Sequence, residues 1–163
     1  MMNTILRFIL AIATLLTVSG TTTLSFADDS SPIVRITGGS TGLFIPTPHS
    51  LTTSGYSDFA VNVKLFHDGT ASGEFTCAIP DFVVLGVQVT NWSRHPDGSI
   101  ELTGNEYGYD AVAGTGYTDC PATVVMRSGP VGIGGFDFSD CVFPEGKYDT
   151  EIVRYGSIDF RHH

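Results

Sequence analysis

The chain has 163 residues, with 8 Lys and Arg against 17 Asp and Glu, a formal net charge of −9. No cluster of Lys or Arg occurs anywhere in it, which argues against nucleic acid or an anionic lipid surface as partner, since polyanions are held by basic patches. The length supports one domain with a core of its own.

Residues 1–27 read as a secretory signal peptide. Arg7 is the charged side chain of the segment, and Phe8 to Val18 form an apolar run broken by Thr14 and Thr17. Ser25-Phe26-Ala27 then places small residues at the cleavage positions. A membrane-crossing helix needs about 20 apolar residues, so the run predicts a leader and no membrane span. A cut near Gly20 is the alternative to one after Ala27. Cleavage after Ala27 removes one cation and leaves residues 28–163 as a single domain of 136 residues with a formal charge of −10. The expected location is secreted or periplasmic.

Beyond the leader, short apolar alternations punctuated by glycine predict strands and leave almost no room for helix. Ile33 to Ile45 supplies one or two strands, ended by Pro46 and Pro48. Asp58 to Leu65 puts Phe59, Val61, Val63 and Leu65 on one face, and His67-Asp68-Gly69 turns the chain. Gly73 to Ile79 returns with Phe75, Cys77 and Ile79 together, and Pro80-Asp81 stops that strand. Phe82 to Thr90 follows, with Val83, Leu85, Val87 and Val89 aligned, and His95-Pro96-Asp97-Gly98 turns into Ser99 to Thr103. Tyr107 to Thr118, rich in glycine and tyrosine, reads as a weak strand or a loop. Ala122 to Arg127 and Gly135 to Val142 are strands joined through Ser128 to Gly132, and Pro144 to Lys147 turns into a last strand, Thr150 to Phe160.

About eight antiparallel strands in meander order predict an all-β fold, a single small β-barrel, with a β-sandwich as the alternative. Closure favours the barrel because it removes strand edges that carry few protective charges.

The strand ending in Asp68-Gly69, the run Gly73-Glu74-Phe75-Thr76-Cys77, the turn at Gly129-Pro130 and the closing Gly156-Ser157-Ile158 together resemble small secreted bacterial β-barrel-like proteins, a family itself uncharacterised. The resemblance covers most of residues 57–160. It implies an exported barrel-like domain and brings no catalytic residues. In shape such chains are similar to lipocalin-like and allene-oxide-cyclase-like barrels, and fold does not fix function.

The chemistry-bearing residues are sparse. His49, His67, His95, His162 and His163 lack zinc-ligand spacing, and C-x-x-C is absent. Asp137, Asp140, Asp149 and Glu151 are weak calcium candidates, since a hairpin would bring their two segments together. Asp137 and Asp140 point to opposite faces, however, and solvated acidic turns are the plainer reading. Glu74, Glu101, Glu106 and Glu151 are the strand glutamates from which an acid–base pair would be drawn. Asp149-Thr150-Glu151 lacks the glycine of an aspartic-protease triplet, G-x-S-x-G is missing, and Gly38-Gly39 and Gly134-Gly135 open no helix. No cofactor is predicted. Phe59, Phe75, Phe136, Phe138 and Phe160 would line a cavity for a small apolar ligand if the barrel is wide, or fill the core if it is not. Tyr107, Tyr109 and Tyr117 would suit a mouth loop that binds sugar or peptide. Asn91-Trp92-Ser93 matches a glycosylation sequon, relevant in a eukaryotic secretory pathway.

Three cysteines in an oxidising compartment leave one thiol. Cys120 and Cys141 face each other if Pro130-Val131 is the centre of an even-membered loop. A bridge closing about 22 residues would stabilise the fold by roughly 3 kcal/mol. The same register opposes Val124 to Asp137 and Val125 to Phe136, mixing apolar and polar partners, and a one-residue shift matches faces but separates the cysteines. A bridge from Cys77 to either partner is the alternative. Cys77 is otherwise expected as a buried, inert free thiol beside Phe75 and Ile79. A binding or structural module without catalysis is the leading expectation, and a small barrel enzyme or carrier for an apolar ligand is the rival.

Overall fold

A computed structural model describes residues 31–44, 55–80, 83–111, 113–139 and 150–163. They form β1 (Val34–Phe44), β2 (Tyr56–Leu65), β3 (Thr70–Ile79), β4 (Val83–Arg94), β5 (Ile100–Asp110), β6 (Thr115–Arg127), β7 (Gly129–Pro130), β8 (Gly135–Ser139), β9 (Glu151–Val153) and β10 (Ser157–His162). The described residues contain no helix, and so none long and apolar enough to cross a membrane. Neighbours run β2-β3-β4-β5-β6-β8-β9-β1, and β1 also pairs with β2, so eight antiparallel strands close into a barrel. β10 and β7 are the two additions: β10 pairs with Val34–Gly39 of β1, and β7 pairs with β10. The predicted all-β barrel is the observed fold.

Period-two alternation fixes each strand's inner face. β2 alternates without a break, with Ser57, Phe59, Val61, Val63 and Leu65 inside and their neighbours exposed. Val61 pairs with Phe75, and Phe75 with Val87, so three apolar side chains stand abreast inside one wall. An eight-stranded barrel is just wide enough for side chains to fill it. Phe136 does so, with its ring centroid 5.1 Å from Phe59 and 4.9 Å from Phe75.

Two hairpins turn by the same device at what we call the lower end of the barrel. In Phe66–Thr70 the Gly69 N–H donates to the Phe66 carbonyl and Gly69 takes φ +84. In His95–Ser99 the Gly98 N–H donates to the His95 carbonyl and Gly98 takes φ +87. Glycine reaches that left-handed region without the Cβ penalty. Asp68 Oδ1 accepts from the Thr70 N–H and hydroxyl, and Asp97 Oδ1 accepts from those of Ser99. The sequence reading located both turns. His67 is exposed there, while His95 Nε2 lies 3.2 Å from Glu101 Oε2.

Three details differ from expectation. Tyr107 to Thr118 is neither weak strand nor loop: it is the upper end of β5, a turn, and the start of β6. Glycine lowered its apparent strand propensity, but inner-strand positions in a closed sheet are held by pairing on both sides. The predicted last strand is two, because the chain bends at Arg154–Gly156, where Gly156 has φ +85 and the N–H groups of Arg154 and Tyr155 both donate to the Thr41 carbonyl. β1 accepts both pieces, β9 on Gly42–Phe44 and β10 on Val34–Gly39.

The third is the β6–β8 register. Val124 pairs with Phe138, Val125 with Asp137 and Met126 with Phe136, one step away from the register that opposes Cys120 to Cys141. Matched faces decide it: Val124, Met126, Phe136 and Phe138 are all buried, and outside Arg127 Nη1 reaches Asp137 Oδ2 at 2.7 Å. The turn Pro144 to Lys147 and Cys141 itself lie outside the described residues, as do Asp140 and Asp149.

Candidate functional site

The sequence-predicted interior cavity comes first. Phe59, Phe75, Phe136 and Phe138 are all buried, and Phe75 and Phe138 stack at 6.3 Å between centroids. Phe160 is partly buried against the same cluster. The rings therefore pack on one another through the middle of the barrel. Of the five, Phe59 alone borders the groove described below.

Above that layer the interior turns polar. Ser57, Glu106 and Glu151 are buried. The Ser57 hydroxyl donates to Glu151 Oε2, and the Cys77 thiol donates to Glu151 Oε1 at 3.9 Å. Gly42, on the neighbouring strand, leaves room for this carboxylate, which a Cβ there would overlap. Tyr117 donates to Glu106 Oε1 at 2.5 Å. A bulge makes this contact: Glu106 opposes Cys120 and Gly108 opposes Tyr117, so β6 carries one extra residue. Asp119 lies in the bulge with φ +61, a conformation aspartate tolerates better than most residues. The extra residue re-aims the following side chains and brings Tyr117 over Gly108 on the inner side.

Cys77 is free and 5% exposed. Burial pushes its thiol well above the ordinary range, and the Glu151 carboxylate adds to the shift. A protonated, enclosed thiol is a poor nucleophile. Cys120 is buried on the inner face of β6, beside Glu106.

An accessible concavity lies on the outer wall. A groove of about 820 Å³ runs across the upper ends of β2 to β6, and its exposed walls include Asp58, Val84, Tyr107 and Tyr109. Val84 is 60% exposed, Tyr107 42% and Tyr109 51%, a cluster of large apolar surface that ordinary solvation does not call for. Its floor is low because Ala60, Thr76, Ala78 and Gly86 present little or no side chain. Gly86 matters most. Its outward position lies directly under the Tyr107 ring, so a Cβ there would collide with it. The ring therefore lies across β4, and its hydroxyl donates to Glu74 on β3.

The strand glutamates thus part company. Glu74 and Glu101 stand outside, bonded to Tyr107 and His95, whereas Glu106 and Glu151 are enclosed. Asp137 is on the outer face with Arg127 and Glu151 on the inner face, so these two calcium candidates are not brought together. Among the described residues no three His, Cys, Asp or Glu side chains converge on a metal position. Sequence reasoning singled out Tyr107 and Tyr109 but not Val84, Asp58 or Gly86. Two signals were present: Tyr-Gly-Tyr puts both rings on one face of a strand, and a glycine inside the run Val83 to Val89 marks a close approach. No family model, curated protein or solved structure matches the chain.

Proposed function

We propose that the protein is an exported binding module, without catalysis, whose ligand lies in the outer-wall groove at Tyr107 and Tyr109. The observation that carries this reading is the contrast between a barrel interior occupied by phenylalanines packed ring against ring and an accessible groove with exposed aromatic walls. Tyrosine provides rigid amphipathic contact area at low entropic cost. The leader at residues 1–27 supports export to a secreted or periplasmic location, in keeping with the resemblance to small secreted bacterial β-proteins. A Cys120–Cys141 bridge belongs to the same proposal: Cys77 is free, which leaves those two cysteines to pair, and the β6–β8 pairing that fixes the register stops at Thr123 and Ser139, short of both.

A fragment screen read by amide chemical shifts tests the site. Aromatic and polyhydroxyl fragments should shift the amides of Gly86, Gly108 and Gly116, and Tyr109→Ala should abolish those shifts. Fragments that perturb only amides around Phe75 and Phe136 would move the site to the interior and revive the apolar carrier. No shifts at either place would end the binding reading.

A further inference from the structure

Resting on that reading, we infer that the ligand is a neutral oligosaccharide laid along the outer wall of β4 to β6. The aromatic groove does not end at Tyr107. A second depression of about 430 Å³ shares Tyr107 and Thr118 with it, and a third of about 470 Å³ shares Thr90 and Asn105 with the second. From Val84 to Asn91 the track covers seven residue steps of β4, about 23 Å at a strand's rise, the length of a short chain rather than of one ring.

The lining changes character along this track. The first part offers Tyr107 and Tyr109, two residues apart on β5 and so on one face, with Val84 across from Tyr109. The second and third parts offer the amides of Gln88 and Asn105 and the hydroxyls of Thr90, Thr118 and Thr123. A sugar presents both faces of this chemistry, C–H surface that lies flat on an aromatic ring and hydroxyls that exchange hydrogen bonds with amides and alcohols. Several of the polar groups are already positioned. Gln88 Nε2 donates to the Gly73 carbonyl at 3.0 Å, and Asn91 Nδ2 to Thr90 Oγ1 at 2.9 Å. Tyr107 is fixed by Glu74 above Gly86. Such pre-ordering lowers the entropy lost on binding.

Other chemistries fit less well. Among the described residues no Lys, Arg or His lines any of the three depressions, so phosphate and nucleic acid find no counter-charge. Of the carboxylates along the track, Glu106 is enclosed and accepts from Tyr117, and Asp58 at one end and Asp119 further along are too few and too far apart to select a cationic peptide over a neutral chain. A peptide adding as a strand needs an open edge, and β4 and β5 are paired on both sides. A lipid tail would leave the amide-lined two thirds of the track unused.

Calorimetric titration with cellohexaose, hexa-N-acetylchitohexaose and maltohexaose tests the inference, with a lysine hexapeptide and phosphatidylglycerol vesicles as the rival probes. At least one hexasaccharide should bind saturably, with little change between low and high salt, and its monosaccharide should bind at least tenfold more weakly. Tyr109→Ala should weaken binding at least tenfold and Asn105→Ala severalfold, both with unchanged far-UV circular dichroism. Binding of the peptide or the vesicles alone, or of no probe, overturns the sugar assignment. If fragments still shift Gly86 and Gly108 in that case, the groove remains a binding site and only its ligand class is wrong. If they do not, both readings fall.

Discussion

The two ends of the barrel are built from different chemistry. Toward the lower end the inward side chains are apolar: Val34, Ile36, Val63, Leu65, Ile100 and Met126 are each no more than 2% exposed. Toward the upper end the same inward positions hold Ser57, Cys77, Glu106 and Glu151, joined by Tyr117. Burying a carboxylate is costly, and hydrogen bonds offset only part of that cost, so the upper end spends stability that the lower end and the phenylalanine layer supply. The outer groove sits on the upper end, and alternation ties the two: Glu106 points in and Tyr107, the next residue, points out. A polar inner contact that fixes β5 against β6 thereby fixes the ring outside it. The groove is held from behind.

Breaking the apolar layer should have the largest effect. Phe136→Ala removes a ring that touches both Phe59 and Phe75 and should cost about 3–5 kcal/mol, read from urea unfolding with an unchanged m-value. A loss below 1 kcal/mol would mean that the interior is loosely filled and that the carrier reading deserves return. Next comes the upper end. Ser57→Ala takes a hydroxyl donor from buried Glu151 and should cost about 1–3 kcal/mol. Adding Glu151→Gln, which lowers the charge left in the interior, should recover part of that loss, with a coupling above about 0.5 kcal/mol. Additive losses would sever Ser57 from Glu151.

The lower end was legible in the sequence and the upper end was not. Asp58 to Leu65 and Val83 to Val89 declare their faces by strict alternation, and Asp-Gly at 68–69 and 97–98 declares the turns. Those signals are local. The groove rests on relations no window contains: Gly86 makes way for Tyr107 from another strand, and Gly42 for Glu151 across more than a hundred residues. Glu106 and Glu74 look alike in sequence, and strand parity alone parts them: Glu106 is in step with inward Ile100 and Leu102 on β5, and Glu74 is one step from inward Phe75 on β3. The β6–β8 register was legible as the better match of faces, yet the cysteine spacing argued for its neighbour. Packing outweighed that spacing because four buried side chains depend on the register.

The smallest effects distinguish the ends by pH. Burial raises the Cys77 thiol, with Glu151 adding to the shift, so the folded chain holds a proton that the unfolded chain releases above about pH 8.5. The stability linked to Cys77 is complete below that pH and is lost above it, at up to about 1.4 kcal/mol per pH unit. Cys77→Ala should flatten this alkaline limb. At the lower end, the Thr70 hydroxyl and amide lower Asp68, and those of Ser99 lower Asp97. Their contribution is present above the usual aspartate value of about 3.9 and fades as the pH falls through the folded one. Both groups are fully solvated, so the paired Asp68→Asn, Asp97→Asn variant should soften the acid limb only slightly, measured as melting temperature between about pH 2 and 5. Because the groups sit at opposite ends and titrate in opposite ranges, each variant should leave the other limb untouched. An aspartate variant that alters the alkaline limb would show that strain passes between the two ends, and that the groove is not insulated from the turns beneath it.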